Sequence, residues 1–184
     1  SANKASVDAI LRSVTIPIQL GGGIRSMAAI EGWLAAGVRR VILGTAAVKD
    51  PALVRDACRK YPGRIAIGLD AKDGFVAAEG WGETSSIKVP VLARQMEDAG
   101  ASALIFTDIS RDGTKTGVNI AATVALAQAV KIPVIASGGV GGLHDLEALL
   151  PYASEGVHGV ILGRALYDGA LDPRDALATA RAAC

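Results

Sequence analysis

The sequence predicts an α/β fold in which a parallel sheet alternates with helices and curls toward a barrel, and three observations lead there. Short β-branched or aliphatic runs alternate with helical patterns along the whole chain. The chain also repeats itself. Ile16-Pro17 leads into Gly21-Gly22-Gly23-Ile24 and then Val41-Ile42-Leu43-Gly44-Thr45-Ala46, and Ile132-Pro133 leads into Ser137-Gly138-Gly139-Val140 and then Val160-Ile161-Leu162-Gly163-Arg164-Ala165. Finally, 51% of the residues are hydrophobic and the mean hydropathy is +0.37, yet no apolar run approaches the ~20 residues of a membrane helix. Parallel strands covered on both faces account for that richness.

The elements follow in order. Val7, Ile10, Leu11 and Val14 recur at helical spacing, so the chain opens on a helix, with Ser6 as its cap. Strands are predicted at 16–20, 41–43, 65–69, 103–106, 134–136 and 160–162, each a short apolar run closed by glycine or a polar residue. Helical patterns separate them at 27–36, 51–60, 89–99, 120–130 and 143–150, and a last helix spans 173–183. Met27 and Trp33 fall on a helix and are expected in the core; His144 and His158 are expected at the surface.

Six strands fit the duplication as part of an eight-stranded β/α barrel of the TIM type, whose usual length is ~250 residues at ~30 or more per βαβ unit. The 184 residues fall short by about two units. The first copy of the repeat also lacks the two strands that 65–69 and 103–106 supply ahead of the second. The expectation is one domain over 1–184, an incomplete barrel with a two-fold internal repeat (about 15–60 and 131–183) and six of eight strands present. A six-stranded open sheet is the rival. Lys and Arg total 19 against 18 Asp and Glu, which gives no support to nucleic-acid or membrane binding. Cys58 and Cys184 lack metal-ligand or disulfide spacing, and with no signal peptide visible the expected location is the cytoplasm.

Barrel chemistry sits at the C-terminal ends of the strands. There the chain presents Gly21, Gly22, Gly23 and Arg25; Gly44 and Thr45; Asp70; Thr107 and Asp108, followed by Arg111-Asp112-Gly113-Thr114; Ser137, Gly138 and Gly139; and Gly163 and Arg164. Glycines just past a strand let backbone N–H groups approach an anion, so the two glycine pairs read as two phosphate cups and the ligand as a bisphosphate. Tight turns alone would also use glycine, but the pattern occurs twice in register. Arg164 replaces Thr45 of the first copy, either as a charged phosphate contact or as a solvated rim residue. Asp70 is the candidate for proton transfer, the alternative being a loop-capping aspartate. Thr107 is a candidate orienting hydroxyl, against ordinary β-propensity. Asp112 reads as a ligand contact or as a loop-shaping residue before Gly113. Trp81, beside Gly80 in the loop after Asp70, reads as a stacking platform or as a lid packed on the rim.

Gln19 to Arg25, Gly68-Leu69-Asp70, Gly80-Trp81, Thr107-Asp108-Ile109 with Arg111 to Thr114, Ala136 to Val140, and Gly163 to Tyr167 together resemble the ProFAR (phosphoribosylformimino-aminoimidazole carboxamide ribotide) isomerase family of histidine biosynthesis. The resemblance covers essentially the whole chain. It implies a two-half β/α barrel and an Amadori rearrangement of a bisphosphorylated aminoaldose to an aminoketose. It implies no metal or organic cofactor. An Asp on the first strand would be the base, an Asp on the fifth strand the acid, matching Asp70, and a Thr on the sixth strand matches Thr107. The first-strand Asp has no counterpart in these residues, so the 184-residue chain is expected to be inactive alone, and to self-associate or be complemented by the missing strands. Gly141-Gly142 stands where the family pattern has a capping Ser. The cyclase subunit of imidazole glycerol phosphate synthase is the nearest alternative, but its sixth-strand motif tends to read Thr-Ser where this chain has Thr107-Asp108. A non-catalytic phosphate-binding scaffold is the reading from another class.

Overall fold

The computed structural model describes residues 3–181; Cys184 and the last residues of the predicted final helix lie outside them. Six parallel strands form the frame: β1 (Gln19–Gly21), β2 (Arg40–Leu43), β3 (Ile65–Lys72), β6 (Leu104–Asp108), β7 (Val134–Ser137) and β8 (Val157–Val160). They pair in the order β1-β2-β3-β6-β7-β8. Among the described residues β1 pairs only with β2 and β8 only with β7, so both outer edges are single-sided. Two shorter strands, β4 (Phe75–Ala78) and β5 (Glu83–Lys88), form an antiparallel arm that grows from the end of β3.

The helices are α1 (Lys4–Ser13), α2 (Met27–Ala35), α3 (Thr45–Lys49), α4 (Pro51–Lys60), α5 (Val89–Asp98), α6 (Ile120–Ala129), α7 (Leu143–Leu149), α8 (Arg164–Tyr167) and α9 (Pro173–Arg181), with a 3-10 helix at Leu150–Glu155 after α7. Their starts are chemically marked. Ser26 Oγ accepts from the Ala29 N–H, Asp50 Oδ1 from the Leu53 N–H and Asn119 Oδ1 from the Ala122 N–H. Ser6 does not cap α1: it lies inside the helix, whose N-cap position is Asn3. At α7 the expected capping Ser is replaced from within the helix, because Asp145 Oδ2 accepts from the N–H groups of Gly141 (2.7 Å) and Gly142 (3.2 Å).

Side-chain alternation divides the sheet into two faces. Val41, Leu43, Ile65, Ile67, Leu69, Leu104, Phe106, Val134 and Ala136 are buried against the helices in the main core. Ala66, Ala103, Ile105 and Ile135 make a second, smaller cluster, with Ile42 packed on it. Met27 and Trp33 are half-buried against the main core rather than inside it; His144 and His158 are exposed. The last strand lies upstream of its predicted place, at Val157–Val160 instead of 160–162. Val157 pairs with Val134 across a register shift, and Ile161 is left at the rim, its N–H bonded to Ala136 O at 2.8 Å.

Candidate active site

The parallel register gathers the polar strand ends. Asp70 is the cross-strand partner of Thr107, and Thr107 that of Ser137, so the three stand side by side on adjacent strands. Each is one position out of phase with a core residue (Leu69, Phe106, Ala136), which puts them on the face opposite the helices. Thr107 is buried and Asp70 half-buried.

A cavity of about 520 Å³ opens at the Asp70 end of this row. Gly22, Gly23, Arg25, Gly44, Thr45 and Asp70 are among its lining residues. Gly22 (φ +102°) and Gly23 (φ +67°) turn the chain just past β1, and a Cβ built on either would meet nothing within 4 Å. Their backbone therefore faces open space. Gly44 caps α3 directly beyond β2, with Thr45 as its first residue.

The antiparallel arm covers one side of this cavity. Trp81, 45% exposed and at φ +73°, donates its indole Nε1–H to Asp70 Oδ2 at 2.8 Å. The aromatic ring thus touches the candidate acid directly. Glu79, which no motif in the sequence marks, lies beside the first glycine turn. Its N–H donates to Thr45 Oγ1 (3.3 Å), and its carboxylate pairs with Lys49 and with Arg25 (3.4 Å). The hydrogen bond and charge of Lys49, joined by the charge of Arg25, hold the Glu79 carboxyl below the ordinary glutamate range against the opposing effect of desolvation. No local motif marks Glu79, because its partners lie 30 and 54 positions away in the sequence.

The second set of glycines has a different environment. Asp112, Gly113, Ser137, Gly138, Gly139, Gly163 and Arg164 surround a cavity of only about 50 Å³. Ile161 borders both cavities, so the two adjoin. The loop after β6 lies against the glycines. A Cβ on Gly138 would come within 3.2 Å of Asp108 O and Thr107 Cγ2, and one on Gly139 within 2.3 Å of Gly117 O. Arg164 closes the rim by donating to Gly113 O at 2.9 Å. The predicted site residues thus fall at one end of the sheet: most line two adjoining cavities, while Thr107 stands between Asp70 and Ser137 and Trp81 reaches the site through its bond to Asp70. Among the described residues, no group of three His, Cys, Asp or Glu side chains is arranged to hold a metal ion, and no helix is long and apolar enough to cross a membrane.

Residues 1–172 match the family described as histidine biosynthesis protein. Among curated relatives, a protein of Methylobacterium nodulans is 61% identical over 181 residues, covering 98% of this chain and 72% of its own length. One of Paramagnetospirillum magneticum is 61% identical over 180 residues (98% and 74%), and one of Afipia carboxidovorans 56% over 181 residues (98% and 73%). All three are named 1-(5-phosphoribosyl)-5-((5-phosphoribosylamino)methylideneamino) imidazole-4-carboxamide isomerase.

Proposed function

The chain belongs to the histidine biosynthesis protein family, and from that premise we propose how its residues carry the isomerisation for which its relatives are named, as an aldose–ketose rearrangement. The substrate is a ribotide with a phosphate at each end. One phosphate is held by the Gly22–Gly23 turn with Gly44, Thr45 and Arg25, the other by Gly138–Gly139 with Gly163, Arg164 and Ser137. Asp112 and Gly113 border the second phosphate, and Trp81 lies against the reacting part of the ligand. The two sets of glycines are equivalent parts of an internal repeat.

The row of Asp70, Thr107 and Ser137 between the two glycine turns is the observation that carries this reading. An Amadori rearrangement begins when an acid delivers a proton to the furanose oxygen. The C1–O bond breaks, the glycosylic nitrogen's lone pair forms an iminium, and a base then removes the C2 proton to give an enolamine that tautomerises to the ketose. Asp70 supplies the first proton and Thr107 orients the opened sugar. The base lies on neither the described strands nor the arm: Glu79, the other carboxylate lining the large cavity, is engaged by Arg25 and Lys49. We place it on two further strands that would close the barrel between β8 and β1, whose outer edges are unpaired among the described residues.

The test is Asp70→Asn, assayed together with a fragment supplying those two strands. Substrate affinity should persist while kcat falls by ~10²–10⁴-fold, the range for an acid–base group. Near-normal kcat would remove Asp70 from the role, and turnover by the 184 residues unaided would place the base within them.

A further inference from the structure

Asp108 follows Thr107 on β6 and points the other way, to the helix side, where it borders a cavity of about 300 Å³ with Phe106, Asn119 and Leu126. The phosphate and proton-transfer roles leave it unused. Yet its carboxylate is 16% exposed and carries four interactions. Oδ1 accepts from Ser110 Oγ (2.6 Å) and Ser110 N–H (3.0 Å), Oδ2 accepts from Asn119 Nδ2 (2.7 Å), and Arg111 Nε lies 3.8 Å from Oδ2. Burial opposes the charge, but the Ser110 hydroxyl, the Asn119 amide, the Ser110 N–H and Arg111 prevail and hold the carboxyl below the ordinary aspartate range.

These partners are the two ends of one loop. Ser110 and Arg111 begin the segment after β6, and Asn119 ends it as the cap of α6. Between them the loop passes over the second glycine turn. Arg111 donates to Gly117 O (3.1 Å), the Gly117 N–H donates to Gly139 O (2.9 Å), and Gly113 O accepts from Arg164 (2.9 Å). The first glycine turn has no such loop on it.

We infer that Asp108 is a positioning residue: by drawing together the two ends of the 109–119 loop from behind the sheet, it presses that loop onto Gly138–Gly141 and so shapes the second phosphate cup, not the first. The inference rests on the two-cup reading above and adds a residue that touches no ligand.

The experiment is an inorganic phosphate titration of the isotope-labelled chain, following the amides of Gly22, Gly23 and Gly44 for one cup and of Gly138, Gly139 and Gly163 for the other. Asp108→Asn sets two amide donors against each other. It should weaken phosphate at the second cup by about tenfold or more, the loss expected for a hydrogen bond to a charged group, while the first cup keeps its affinity. Asn119→Asp sets two carboxylates together and should do the same. The double variant D108N/N119D restores one donor facing one acceptor and keeps the helix cap, so it should recover second-cup binding. Equal binding at both cups in Asp108→Asn would overturn the inference, as would a parallel loss at both that follows the melting temperature. If the parent chain binds phosphate at neither cup, the two-cup reading fails. Amide exchange at Ser110 and Gly117 then decides the clasp: faster exchange in Asp108→Asn, reversed in the double variant, supports it, and unchanged exchange overturns it.

Discussion

Replacing Gly139 by alanine tests how the loop after β6 and the second glycine turn are packed, and Gly22→Ala is its internal control. Both glycines have positive φ, +89° and +102°, so each alanine meets backbone strain of about 1–3 kcal/mol. At Gly22 that is the whole cost, because an added Cβ meets nothing within 4 Å. At Gly139 the Cβ would lie 2.3 Å from Gly117 O and 3.0 Å from Gly117 C, backbone atoms that move only if the loop moves. Overpacking adds about 1–3 kcal/mol, and displacing the loop breaks the bond from the Gly117 N–H to Gly139 O, worth about 1 kcal/mol. Gly139→Ala should therefore destabilise by about 3–7 kcal/mol against about 1–3 for Gly22→Ala. Gly138→Ala, whose nearest contacts are at 3.2 Å, should fall between them. Urea unfolding followed by circular dichroism reads all three. Equal losses at positions 22 and 139, or a larger loss at 22, would refute the claim that the loop rests on the second turn.

Two further outcomes follow from groups outside the strand ends. Burial in the helix-side core pushes the Cys58 thiol up to about 11 from its ordinary 9.0. The stability this carries is complete below pH 9 and is lost as pH rises toward 11, amounting to about 3 kcal/mol. Cys58→Ala should therefore lose less stability than the parent across that window in pH-dependent denaturation; identical pH profiles would contradict it. Glu79→Gln removes an anion already paired with Arg25 and Lys49 beside the first cup. It should raise phosphate affinity there severalfold at low salt, an effect that fades as salt is added, and a titration showing weaker binding would instead make Glu79 part of the binding surface.

The helices and strand centres were legible because each is signalled locally. Pro51–Lys60 was predicted with the bounds it has, and Ile120–Ala129 to within a residue. The row of Asp70, Thr107 and Ser137 was legible for a related reason: each ends an apolar run, and parallel pairing puts such ends side by side. What the sequence conceals depends on pairing rather than on local composition. The arm was missed because Glu83–Lys88 carries one aliphatic residue in six and pairs only with Phe75–Ala78. The last strand lies upstream of its expected place because apolarity marks Val160 to Leu162, whereas Val134 pairs with Val157, beyond the interruption at His158-Gly159. Glu79 becomes visible only when folding brings Lys49 and Arg25 to it, and Asp108, a strand-end residue in the sequence, acquires its clasp only when the chain returns Asn119 to it.

The two glycine turns, alike in sequence, differ in what surrounds them. The glycines sit at corresponding ends of β1 and β7 and have similar backbone angles, which is all a local repeat can specify. Their surroundings are set by the segments that lie between them in the chain, the arm after β3 and the loop after β6. The arm after β3 brings a carboxylate to the side of the first turn and leaves its glycines open. The loop after β6 brings backbone carbonyls onto the second, where glycine is needed for the loop's close approach whether or not an anion binds. A glycine pair in sequence is thus compatible with an anion site and with a packing site. At the first turn no described residue lies within 4 Å of where the missing side chains would be. At the second the loop already uses them, so the phosphate site proposed there would depend on how firmly Asp108 holds that loop.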